Sequence, residues 1–154
     1  MTNVKDFLRY LRSVKSAMLI DTAGSLFVLL LGAVMYATQT YEPMLPIISL
    51  VGIQFIVSGY MVTSKIKNYS EELSKENIPN FKDQTAKLTR YYTVKAIIFI
   101  IPLLTFLLSK IGLVTNQVCF FTAMGAYLAF MLISLYRHIQ IKDFITSLCE
   151  YTSE

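Results

Sequence analysis

The chain has 154 residues, is 55% hydrophobic and only 16% charged, and carries a formal net charge of +4. Soluble domains are about 45–50% apolar and about 25% charged, so the long apolar blocks here exclude an ordinary soluble domain, and so small a charge does not mark a nucleic-acid binder. One histidine, two cysteines and no C-x-x-C pair leave no ligand set for a zinc site, a haem pair or a dithiol redox centre, and neither a cofactor nor a metal is expected.

The first segment, "NVKDFLRYLRSVK", places Val4, Phe7, Leu8, Leu11 and Val14 at helical spacing, with Lys5, Arg9, Arg12 and Lys15 elsewhere on the wheel. This pattern predicts a basic amphipathic helix over residues 2–15, lying on a membrane surface and touching head groups through those four cations. Four apolar blocks follow, at about 17–38, 45–64, 92–109 and 118–136. Each is long enough to cross a hydrocarbon layer of about 30 Å at about 1.5 Å per residue. Pro46 falls in the first turn of the second block, where proline is tolerated. Pro102 falls mid-span in the third and predicts a kink there.

Between the second and third blocks, residues 65–91 read as a helical hairpin broken at Pro79, with Asn80 capping the returning helix and Asp83 three residues on. The tail, 137–154, carries Ile141, Phe144, Ile145 and Leu148 on one face. These apolar stripes suit either lipid and one another or a soluble partner. Thirteen of the fourteen basic residues lie in the N-terminal segment, the central hairpin with its junction, and the tail; only Lys110 lies in the other loops. The positive-inside rule then puts both termini and the hairpin in the cytoplasm, facing an anionic leaflet. Tyr36 and Tyr41 suit an outer aromatic belt, and Tyr60, Tyr91, Tyr92 and Tyr136 an inner one.

Asp21 and Lys95 are the charges inside the spans. Such charges are costly in hydrocarbon and face other helices. Each sits about one turn inside the cytoplasmic boundary, on the small or polar side of its span, and the pattern predicts an ion pair between the first and third spans. Gln54 and Tyr127 stand at a common mid-membrane depth, and the pattern predicts a polar contact between them. Small residues form packing seams: Gly24 and Gly32 on the first span, Gly52 and Gly59 on the second, Gly125 and Ala129 on the fourth. The second and fourth spans each carry two non-lipid faces, one more than a single bundle uses, which predicts a homo-oligomer.

The expected fold is all-α: one four-span polytopic membrane domain with an amphipathic N-terminal helix and cytoplasmic helical extensions. Motifs for nucleophilic, phosphate-binding or metal-dependent catalysis are absent from the sequence. The reading that follows is a non-enzymatic subunit, multi-pass in a bacterial inner membrane, self-associating and anchoring or regulating a cytosolic protein, with no nucleic-acid partner. Two alternatives stand beside it. One is a gated pore or membrane-perturbing effector of a toxin or anti-phage defence module. The other is a small transporter or lipid-handling enzyme.

Overall fold

A computed structural model describes residues 4–42, 44–74, 76, 78 and 80–152. They form four helices: α1 (Val4–Thr38), α2 (Met44–Leu73), α3 (Phe81–Lys110) and α4 (Asn116–Tyr151). Each is long and apolar enough to cross a membrane. The short connections explain the up-down-up-down order. α1 and α3 both end in Schellman turns. Thr40 N–H bonds Met35 O at 3.1 Å, and Leu113 N–H bonds Leu108 O at 3.0 Å. The residue that must adopt the left-handed conformation is Gln39 (φ 54°) in the first turn and Gly112 (φ 77°) in the second. Thr115 opens α4, its side chain accepting the Val118 N–H at 3.3 Å.

Burial along each helix follows a heptad. On α4 the buried positions include Phe120, Ala123, Tyr127, Phe130, Ser134, Ile141, Phe144 and Leu148; on α3 they are Phe81, Thr85, Leu88, Tyr92, Lys95, Phe99 and Pro102, with Tyr91 beside them. Leu45, Gly52, Gly59, Ile66 and Leu73 are buried on α2, and Val4, Leu11, Met18, Ser25 and Gly32 on α1, each seven apart. Spacings of three and four put one seam toward the partner helices, as in left-handed bundle packing. α4 packs against α1 and α3, and α2 packs mainly against α3.

Every exposed large hydrophobic side chain among the described residues lies within 19–36, 47–61, 97–113 or 118–139. This belt spans about 22–33 Å along the helices at about 1.5 Å per residue, bracketing the thickness of a hydrocarbon core. The helices run on for several turns past one edge of the belt, and this extension carries most of the basic residues, so it is called the basic end.

The basic end departs from the sequence expectation. Residues 4–15 are not a separate surface helix; they are the first turns of α1, continuous with its span. Phe7, fully buried, meets Tyr69, Phe81 and Phe144 with ring centroids 5.1, 5.5 and 6.2 Å away. The apolar stripes of the N-terminal segment, the hairpin and the tail therefore cover one another, because four parallel extensions offer each stripe a protein surface drier than a head-group layer. Asn80 does precede α3, but in the left-handed conformation (φ 55°) and without a capping bond from its side chain. Asp83 instead pairs with Lys87. Pro102 sits within an unbroken α3, and Thr105 Oγ1 donates to the Pro102 carbonyl at 2.9 Å. Tyr60 and Tyr136 are exposed at the belt edge next to the basic end, while Tyr91 and Tyr92 turn into the core.

Candidate functional site

Lys95 lies on the buried heptad face of α3 and is 2% exposed. Its Nζ donates to Asp21 Oδ2 at 2.9 Å. Around the ammonium stand Phe55 of α2, Phe130 of α4 and Tyr92 of α3 itself, with ring centroids 4.8, 5.0 and 5.6 Å away. A cation against ring faces is attracted by their quadrupoles, so one carboxylate and three rings replace its lost water. Asp21 keeps 17% of its side chain exposed, which leaves the carboxylate at the rim and the lysine inside. All four helices contribute to this cluster.

A chain of hydroxyls continues from it toward the basic end. Tyr91 donates to Ser134 Oγ at 3.1 Å, and Ser134 donates to the Met18 carbonyl at 3.0 Å. One turn further along α4, His138 Nδ1 lies 3.0 Å from the Lys15 carbonyl, a geometry that suits an Nδ1–H donor. Each contact fastens one helix to another. Among the described residues no group of three or more His, Cys, Asp or Glu side chains converges as a metal site would require.

The structure does not bring Gln54 and Tyr127 together. Tyr127 is fully buried and donates to the Ile48 carbonyl at 3.0 Å. Gln54 is exposed on the far side of α2. It follows the buried Gly52 by two residues, about 200° around the helix, so no rotation serves both.

The seam residues divide in the same way. Gly32 is buried against Met124, so a side chain there would collide with the thioether. Gly52 and Gly59 admit Phe99 and Tyr92, each with a ring carbon 3.5 Å from where a Cβ would stand. Gly24 and Gly125 meet nothing within 4 Å of that point. Gly125 is exposed and Ala129 half-buried, so the Gly125–Ala129 stripe is not the seam that packs α4 into this bundle. Of the four cations proposed for the membrane surface, Lys5, Arg9 and Arg12 are exposed and Lys15 is half-buried. Arg12 Nη2 lies 3.5 Å from Cys149 Sγ.

Phe55 and Phe130 were invisible as site residues in the sequence, because an aromatic in an apolar run carries no label for the face it occupies; the sequence pattern places Tyr91 in an aromatic belt, and Ser134 on a non-lipid face without a partner. The available signal was their placement three, four or seven residues from other inward groups. Comparison of the chain with known protein families, with curated proteins and with solved structures found no match.

Proposed function

We propose that the protein is a non-enzymatic membrane subunit that self-associates, with its basic end in the cytoplasm of a bacterial cell, and that it anchors or regulates a soluble partner there. The observation that carries self-association is Gln54. It lies inside the apolar belt, between the exposed Ile53 and Val57, and has no hydrogen-bond partner among the described residues. A primary amide left in hydrocarbon without a partner costs about 2–7 kcal/mol, and an interhelical hydrogen bond removes that cost. A second copy presenting the same α2 face supplies the partner through a two-fold contact.

The basic end supports the anchoring role. Its apolar stripes are spent on its own core, so a soluble protein would meet a preformed, charged helical surface rather than an unfolded segment. Interior polar groups such as Lys95, Tyr127 and Ser134 are engaged in interhelical contacts, which favours a structural assignment for them. A pore through one chain is disfavoured by Phe99, Phe130 and Tyr127, which fill the centre with at most 1% exposure.

Native mass spectrometry of the protein released directly from its membrane tests this reading. The expected spectrum contains two or more copies, with a soluble protein retained. A strict monomer without a partner contradicts it.

A further inference from the structure

The outer side of the α2–α3 seam carries two cavities that join end to end. The larger, about 570 Å³, lies along the basic end, with Lys67, Lys82 and Arg90 on its walls. The smaller, about 240 Å³, enters the apolar belt between Ile56, Gly59 and Ala96. Thr63 and Thr93 line both. Gly59 and Ala96 line the groove with small residues, beside the Tyr92 ring that packs on Gly59. The 76%-exposed Tyr60 marks the belt edge beside it.

Charge and depth identify what fits. Lys67 lies six residues beyond Met61, and Arg90 seven residues before Ile97, the nearest exposed large apolar residues of their helices. At about 1.5 Å per residue both cations stand about 10 Å outside the hydrocarbon, at the depth of lipid head groups. Arg90 and Lys82 have no carboxylate partner among the described residues, and Lys67 meets Glu71 only at 4.0 Å, with both side chains largely in solvent. Three threonines of α3, Thr85, Thr89 and Thr93, give their hydroxyl protons to carbonyls within that helix. Of the cations on the walls, Lys67 and Arg90 stand at the head-group level, directly above an apolar slot.

We propose that this groove binds one anionic phospholipid, its phosphate between Lys67 and Arg90 and an acyl chain along Ile56, Gly59 and Ala96. Basic pockets between spanning helices at the cytoplasmic edge hold anionic head groups by the same combination of charge and apolar contact. A soluble acidic peptide matches the upper cavity alone and leaves the slot within the membrane unused. The site takes from the preceding reading only that the basic end faces an anionic leaflet.

The test is native mass spectrometry of the delipidated full chain in detergent, titrated with phosphatidylglycerol or with phosphatidylcholine of the same acyl chains. Wild type should retain one phosphatidylglycerol, about tenfold more readily than phosphatidylcholine. The double variant Lys67→Gln/Arg90→Gln should lose that preference. Lys87→Gln/Lys142→Gln, an equal charge change on α3 and α4 outside the groove, should keep it. Thr63→Phe, which fills the waist of the groove, should lower retention of both lipids. Equal retention of the two lipids by wild type, or equal loss in the control variant, overturns the proposal. So does displacement of the lipid by an equal concentration of glycerol phosphate, which would show that the apolar half contributes nothing. Micelles impose no cellular orientation, so an error in topology and the absence of the site give different results.

Discussion

Lys95 Nζ and Asp21 Oδ2, 2.9 Å apart, join α3 to α1, two helices with no pair of Cα atoms within 8 Å among the described residues. The pair thus bridges a diagonal of the bundle that the backbones leave open. Removing one partner strands the other, and for buried pairs this costs about 3–5 kcal/mol, whereas replacing both by apolar groups can be nearly neutral. Asp21→Asn leaves an ammonium among three rings and should cost about 3 kcal/mol. Lys95→Met should cost less, because the 17%-exposed carboxylate can recover some water. The double variant should lose less than the sum of the singles. Thermal unfolding in detergent reads all three, and strictly additive losses would argue that the two residues act separately.

The core of the basic end makes a second prediction. Phe7→Ala removes a ring packed on Tyr69, Phe81 and Phe144, and large-to-small changes of this kind cost about 3–5 kcal/mol. Limited proteolysis should then open the α2–α3 connection while the spans stay protected. If the segment lay on lipid instead, cleavage there would not change.

Alkaline pH should weaken the basic end. Tyr10 stacks on Tyr69 with centroids 5.4 Å apart. Burial, reinforced by the neighbouring Tyr69, pushes its phenol up to about 12 from the ordinary 10.0. Between those values the unfolded chain has released the proton and the folded chain still holds it, so stability falls as pH rises from about 10 to about 12. Tyr10→Phe should make that fall shallower in melts recorded across this range. An unchanged slope would remove Tyr10 from the explanation.

The glycines separate inner from outer faces. Gly32→Leu must push aside the thioether end of Met124, so it should lower the melting temperature, and Met124→Ala should relieve that loss. Gly125→Leu, which meets nothing within the chain, should leave the melting temperature of an isolated chain within a degree or two. Comparable losses at both positions would show that α4 is turned differently.

The four-helix pattern was legible in the sequence because spans announce themselves by length and hydropathy. The rotation of each span was harder to read. Core and lipid faces are both apolar, so the heptad of burial does not appear as a hydropathy period. Helix rotation could be read only from rare polar or small residues. Asp21, Lys95 and Gly32 face inward, but Gln54 and Gly125 face outward, and composition does not distinguish these cases. At the basic end the stripe through Val4, Phe7, Leu11 and Val14 was plain. Its contact with Phe81 and Phe144 was not, because an amphipathic pattern states that a face needs cover without naming the cover.

Gln54 carries the claim of self-association, and cysteine cross-linking in the native membrane tests it most directly. In a chain with Cys119 and Cys149 replaced by serine and Gln54 kept, single cysteines are placed at Leu50, Val57, Gly52 and Gly59 and treated with a mild oxidant. The account predicts disulfide-linked dimers from positions 50 and 57 on the exposed face, lost when Gln54→Leu is added. It predicts none from positions 52 and 59, which are buried within one bundle. Absence of dimers at positions 50 and 57, equal yields at all four positions, or dimers that survive Gln54→Leu would contradict it.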